Sequence, residues 1–388
     1  MVVTGAAAYT SCCGLGREAF WSRLRGINGE PQGGAPRRAA PLEMLVRNDR
    51  KIKVDQPLAL HLLAAIEHDL GPFLEGLAAE EKEHVGVALG SAYAHLSSYF
   101  AYYQTGTEQG YQLVNPRHFP STMSNFFTVE VNNAYSLWGS STTVGSGLAA
   151  GLEAVGYAVA ATGRREETAM LAGGLDELND FNQHLLEAAG LRSPLSSIRP
   201  FATDRDGTVP GEGVGVLLLQ TEESVHASRR KPLAQVCGSA SARRVFRESG
   251  RGRARAVDAI SRTFKAASVR AGDIDAIFPS ANGSIQGDEF ERALLRDVFG
   301  ERLESVLVCP VKHITGECFA ASGPLQCLAA VYAVSSTPEG PLLGVRLVRN
   351  GDELQCVERV RPISTALVYS AGYDGTFSAL VVRSYPAC

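Results

Sequence analysis

No apolar run in this 388-residue chain reaches the ~18 residues that a membrane-spanning helix needs, so no membrane association is expected. The opening stretch MVVTGAAAYTSCCGLGREAF carries no charged segment ahead of its apolar part. It reads as a first strand and loop, not as a secretory signal, and the expected location is cytoplasmic. Neither sign of charge dominates: 37 Lys and Arg against 41 Asp and Glu leave a formal net charge of −4. Nothing global therefore points to nucleic acid or to an acidic membrane surface as a partner. The eight cysteines are scattered and form no CxxC pair, and the adjacent Cys12 and Cys13 suit neither a disulfide nor a zinc site. Reduced, mostly buried thiols are expected, and neither a metal nor a cofactor is.

Glycine, in contrast, is plentiful at 40 residues, in a chain that is 45% hydrophobic and 20% charged. That balance is ordinary for a globular protein and allows one large core or two fused domains. So many small residues suggest tight turns and close backbone packing, not a linker. Short β-rich runs alternate with long Ala/Leu-rich helical runs, which favours α/β layers with mainly parallel strands.

The second half repeats the order of the first. VVTGAAA (2–8) corresponds to AQVCGSASA (234–242), each a strand ending in Gly and small residues. HVGVALGSA (84–92) corresponds to IDAIFPSANGS (274–284), and the 141–160 segment to 306–334. TAMLAGGLDE (168–177) corresponds to TALVYSAGYDGTFSALVV (365–382). A duplicated βαβ-rich unit explains this order. The polar, basic segment EESVHASRRKP marks a join near 220–232, and the expected halves are 1–230 and 231–388.

One stretch raises a chemical question. In TTVGSGLAAGLEAVGYAVAATG (142–163) a β-branched run enters a Gly-Ser-Gly break, and a helix of small apolar residues follows. Many enzymes hold a nucleophile at such a helix N-terminus, where the macrodipole and free N–H groups stabilise an anion. Here the residue at the mouth is Leu148, which cannot attack, ligate or carry a proton.

Several motifs together resemble the β-ketoacyl synthases, the condensing enzymes of fatty acid and polyketide synthesis. RPFATDRDGTVPGEGVGVLLLQ is similar to a family signature, with Asp206, Gly207, Gly211, Glu212 and Gly213 in place. PVKHITGECFAASG and the closing SAGYDGTFSALVV resemble two more, and NPRHFPSTMSNFFTVEVNNAYSLWGSS resembles the segment before the family's nucleophile. The resemblance covers nearly the whole chain. It implies a thiolase-like α/β fold, a duplicated α-β-α-β-α five-layer architecture.

It also implies a catalytic set that this chain lacks. The family's elbow cysteine falls on Leu148, its two histidines on Asn282 and Glu317, and its lysine is retained as Lys312. A supporting acidic position appears as Gln326. Without a thiol no acyl-enzyme forms at 148, and a carboxylate at 317 would repel an enolate. Glu317 is expected to be buried and to meet Lys312, His313 or water. Cys318 beside it reads as a structural thiol rather than a relocated nucleophile. Losing three members of a cooperative set should leave little condensation chemistry.

One branch with this profile is the chain-length factors, or ketosynthase-β subunits, of type II polyketide systems. They lack the elbow cysteine and pair with an active ketosynthase. The usual replacement there is glutamine, so Leu148 departs from that pattern. A heterodimer with a catalytic ketosynthase and an acyl carrier protein are the implied partners. The rival reading is a homodimeric acyltransferase that reuses the pocket.

In AYAHLSSYFAYYQ (92–104), His95, Ser98, Tyr99 and Tyr102 share one helix face. Plain packing in a core or interface is one reading of that face. By resemblance His95, Ser98 and Tyr102 fall on tunnel-gate positions, and Tyr99 and Tyr373 are grouped with them. Arg229, Arg230, Lys231, Arg243, Arg244, Arg247 and the arginines after them form a basic cluster. A solvated face is its default reading. An acidic carrier protein would also find it attractive, with Arg229, Arg230, Arg243 and Arg244 as the docking candidates.

Overall fold

The computed structural model describes residues 1–24, 45–47, 50–52, 56–162, 167–195, 197–228, 230–245, 251–335, 343–347, 354–358 and 362–386. Ten strands carry the architecture. In the first half they are β1 (Val2–Thr10), β2 (Val85–Gly90), β3 (Ser141–Val144), β4 (Ala169–Asp176) and β5 (Gly213–Gln220). In the second they are β6 (Ala234–Arg243), β7 (Ala276–Phe278), β8 (Leu307–Val308), β9 (Thr365–Ala371) and β10 (Thr376–Arg383). Every residue of β1, β2, β4 and β5 is buried. Continuous burial, without alternation, marks strands covered on both faces.

The strand order is β3-β2-β4-β5-β1 followed by β6-β10-β9-β7-β8. The second series is the first one reversed. In each half the two strand pairs farthest from the join are parallel and the rest antiparallel. The halves meet through β1 and β6 at Val2–Gln235 and Val3–Ala234. The four pairs of corresponding sequence segments thus occupy equivalent places in the sheets. A hairpin, Leu343–Leu347 with Leu354–Glu358, extends the second series beyond β8.

Among the described residues, the eight helices of nine or more residues complete the layers: α1 (Pro57–Glu75), α2 (Leu96–Gln109), α3 (Phe126–Tyr135), α4 (Ala150–Thr162), α5 (Asp180–Ala188), α6 (Arg251–Ala267), α7 (Ile285–Phe299) and α8 (Ser322–Val334). Pro57 at the first turn and the Gln56 side chain, which accepts from the Ala59 N–H, start α1. Leu58, Leu62 and Ile66 of α1, with Val131 and Tyr135 of α3, cover the outer face of the first sheet. Ile260 and Phe264 of α6 and Leu294 and Leu295 of α7 cover the outer face of the second.

Between the sheets lie α4 and α8. Leu152 and Val155 of α4 and Leu325 and Leu328 of α8 share one core with Ala88 and Leu217 of the first half and Phe278 and Leu380 of the second. All thirteen residues of α8 are buried, as a helix enclosed on every side requires. Gly151 is obligatory in this layer because a β-carbon there would collide with the Ala320 carbonyl. This is the thiolase-like α-β-α-β-α arrangement expected from the sequence. No described helix is long and apolar enough to cross a membrane.

Candidate functional site

The sequence from β3 into α4 makes the elbow. Gly147 adopts φ +94°, and a side chain there would run into the Asp374 carboxylate. Leu148 follows, 4% exposed, packed among Leu186 of α5, Phe319, Tyr93, Leu191 and Tyr373. Its N–H donates to Asp374 Oδ2 at 2.9 Å, and the Ala149 N–H donates to Thr376 Oγ1 at 3.2 Å. Thr376 in turn donates from its N–H and hydroxyl to Asp374 Oδ1, at 2.9 and 2.6 Å. The first donors of the α4 elbow are therefore held by the loop that leads into β10.

A second cluster lies at the approach to α8. A one-turn helix, Lys312–Thr315, ends at Gly316 and delivers Glu317 into the interior. Glu317 Oε2 accepts from Lys312 Nζ at 2.7 Å and from Asn282 Nδ2 at 2.9 Å. Its Oε1 accepts from the Ser322 hydroxyl at 3.0 Å and the Phe319 N–H at 3.2 Å. The Lys312–Glu317 side chains are 4% and 3% exposed. Lys312 also donates to Ser280 Oγ at 3.1 Å. Asn282 is fixed in turn, because its Oδ1 accepts from the Ser284 N–H and hydroxyl. Buried charges persist when paired and fully hydrogen-bonded, as these are. Glu291 lies behind this network, accepts from the Tyr369 hydroxyl at 2.7 Å, and is pushed up to about 8 by burial, with Asp288 adding to the rise.

Asn282, Glu317 and Lys312 are thus brought together. Leu148 joins them through Phe319, which packs on the leucine side chain while its N–H holds Glu317. Of the two side chains anticipated beside Glu317, Lys312 is the one that bonds it. His313 turns its Nδ1 toward the Pro310 carbonyl instead, and burial lowers its pKa. Gln326 is fully buried and donates to the Pro279 carbonyl. Cys318 is also buried, its thiol directed at the Thr315 carbonyl at 3.3 Å, and burial pushes that thiol well above its ordinary pKa. A thiol so protonated is a poor nucleophile. No disulfide forms among the described cysteines; Cys388 and the Cys356 side chain lie outside the described residues.

The other residues singled out in the sequence are dispersed. Tyr373 packs beside Leu148, and burial raises its phenol. His95 immediately precedes α2 and, like Ser98 and Tyr102, is half-buried, whereas Tyr99 is 39% exposed. Burial lowers the His95 pKa. Tyr102 packs on Phe119 with ring centroids 5.8 Å apart. A feature with no local sequence signature connects α2 to the elbow. Rings follow one another from Phe319 to Tyr93, Phe181, Phe100 and Tyr99, with centroids 5.5 to 5.9 Å apart. Of the basic residues, Arg230 donates to the Thr4 carbonyl and covers the Phe73 ring. Arg243 makes a two-pronged pair with Glu153, and Arg244 is exposed. Arg229 and Arg247 lie outside the described residues.

Residues 71–224 match the family model for the β-ketoacyl synthase N-terminal domain, and residues 233–343 match that for the C-terminal domain. Together they span more than half of the chain. A mitochondrial 3-oxoacyl-acyl-carrier-protein synthase of Arabidopsis thaliana is 28% identical over 333 residues, covering 79% of this chain and 69% of the relative. Among solved structures, the ishigamide ketosynthase/chain length factor aligns over 99% of both chains with a TM-score of 0.78 and 20% identity. A type II PKS ketosynthase, bound to the hexaketide and in complex with its acyl-carrier protein, aligns over 99% of both chains with a TM-score of 0.81 and 21% identity. At such identities the structural likeness is one of fold. The chain belongs to the β-ketoacyl synthase family, the condensing proteins of fatty acid and polyketide synthesis.

Proposed function

We propose that this chain is the non-catalytic, chain-length-factor-like subunit of a ketosynthase pair. Its partner is an active, cysteine-bearing ketosynthase, and the pair acts on chains carried by an acyl carrier protein. One observation carries the reading: the elbow presents Leu148, and the cluster beside it is a closed ion pair, Lys312–Glu317, with each Glu317 oxygen accepting two hydrogen bonds. That arrangement offers neither a nucleophile nor a proton-bearing imidazole. The neighbouring Cys318 is protonated and turned to a carbonyl.

The surface supports a partner. β3 is the end strand of its series, with its outer edge open among the described residues. Tyr99, Phe100, Tyr103, Tyr111, Leu113 and Phe119 are all at least 37% exposed on α2 and the turns after it. Soluble monomers rarely display so much contiguous aromatic surface. In this reading a ketosynthase covers that face, and the half-buried His95, Ser98 and Tyr102 border the path of the growing chain.

Co-expression with a cysteine-bearing type II ketosynthase tests the proposal. A one-to-one complex is expected, and condensation should require both chains. Within that complex, Tyr102→Ala should lengthen the product and Ser98→Phe should shorten it, read by mass spectrometry. A stable homodimer that loads an acyl group on one of its own cysteines would overturn the reading in favour of an acyltransferase.

A further inference from the structure

Asp374 has a counterpart in the other half of the molecule. Asp176 closes β4, and Asp374 follows β9, the equivalent strand in the reversed order. Asp176 Oδ2 accepts from the Ala320 N–H at 2.8 Å, on the approach to α8. Asp374 Oδ2 accepts from the Leu148 N–H at 2.9 Å, on the approach to α4. Each half therefore extends a carboxylate to the start of the other half's central helix. The two positions differ in surroundings. Asp176 is fully buried, whereas Asp374 is exposed at the mouth of the elbow.

We propose that Asp374 is a resident anion that closes the α4 elbow: its carboxylate occupies the N–H position that an anionic oxygen or thiolate would need there. This deepens the non-catalytic reading, on which it rests, by adding a second barrier beyond the missing thiol. Three features support it. The Leu148 N–H already has a carboxylate acceptor and the Ala149 N–H is held by Thr376. Thr376 fixes the other carboxylate oxygen with two hydrogen bonds, so the group is oriented and not merely nearby. Gly147 leaves no β-carbon where the carboxylate lies. An incoming anion would have to displace this loop and would meet like charge.

A thiol placed at 148 reports on that position directly. The variants are Leu148→Cys and Leu148→Cys with Asp374→Asn, grown with cysteine labelled at Cβ. The carbon resonance of the introduced cysteine, recognised by its absence from the wild type, is followed against pH. This readout needs no reagent to reach the buried site. Glu153, Arg243, Tyr93, Tyr373, Asp176 and Glu317, the other charged or titratable groups bearing on this corner, are common to both variants. Removing the charge at 374 should lower the midpoint of the introduced thiol by at least about one pKa unit, a tenfold gain in thiolate below the midpoint. Asp374→Gly in the same background must move it in the same direction, which keeps the result readable should the Asn side chain disturb the loop. Equal midpoints, or a higher one without the carboxylate, would overturn the proposal. Complex formation with the ketosynthase is scored separately. Its loss with the midpoint shift intact removes the assembly reading alone, and the converse removes this one alone.

Discussion

The starts of the two central helices, α4 and α8, compare the same device in two settings. Around α8 both carboxylates are buried. Asp176 accepts from the Ala92, Tyr93 and Ala320 N–H groups and the Ser91 hydroxyl, and Glu317 adds an ion pair to Lys312. Around α4 one carboxylate, Asp374, itself exposed, holds the N–H of the buried Leu148. Both satisfy helix-start donors that a buried backbone cannot leave open. The first is a structural joint whose loss exposes no alternative partner. The second carboxylate is itself exposed to water. Stability should therefore reside on the α8 side, and the chemical consequences of the loop on the α4 side.

The largest effect should come from breaking the buried pair. Glu317→Ala leaves Lys312 charged and unpaired in the interior and is expected to cost about 3–5 kcal/mol in chemical denaturation. Replacing both partners with apolar side chains, Lys312→Met with Glu317→Leu, should recover most of that loss. A double variant as unstable as the single one would show that the hydrogen bonds to Asn282 and Ser322 matter more than the charge.

Next is the comparison of the caps themselves. Asp176→Ala removes the fully buried acceptor of three backbone N–H groups and should cost about 2–3 kcal/mol. Asp374→Ala removes an exposed carboxylate from a partly buried N–H and should cost under about 1 kcal/mol. Equal losses from the two variants would end the distinction between joint and plug.

A smaller, graded effect follows from pH. Burial raises Asp176 to about 7 and Glu291 to about 8. Both hold a proton more tightly folded than unfolded. Their stabilising contribution is complete below the unfolded carboxyl value of ~4 and is lost as pH rises toward their folded values. Each should contribute a fall of roughly 1 kcal/mol per pH unit in that window. Urea melts at pH 5, 6, 7 and 8 would measure the slope, and Glu291→Gln should make it shallower. A slope unchanged by that variant would mean Glu291 is not the group titrating.

How much of this was legible in the sequence differs between fold and site. The repeat was readable because a strand ending in small residues and a helix built from Ala, Leu and Gly leave a strong local texture, as in 2–8 and 234–242. Leu148, Glu317 and Lys312 could be singled out because they sit inside motif-like stretches, and Asn282 by its place in SANGS; that Asn282, Glu317 and Lys312 share one hydrogen-bonded cluster is what the structure adds. Asp374 and Asp176 were written in SAGYDG and AGGLDE, in matching positions of the repeat, yet an acid after a glycine turn looks like any solvated loop residue. Their roles depend on a contact more than 140 residues away in the chain. The same holds for the ring series from Phe319 to Tyr99, whose members come from three separate segments. Arg243 was readable as basic but not as the partner of Glu153, ninety positions away.

The smallest expected effect is also the most discriminating. Leu148→Cys restores the residue type that the elbow geometry suits, yet condensation should remain at background. A thiol at 148 would face the Asp374 carboxylate at the N–H it needs, which disfavours the thiolate. Any enolate formed beside it would face Glu317 and the Asn282 amide, the positions onto which the sequence resemblance maps the family's two histidines. Catalytic groups that act as a unit are non-additive, so one regained member adds little. The measurement is product formation from acyl- and malonyl-carrier protein by the purified variant, without a partner ketosynthase, against the no-protein rate. Turnover clearly above that rate would mean that the ion pair and the plug tolerate the reaction, and that the absent thiol alone separates this elbow from a working one.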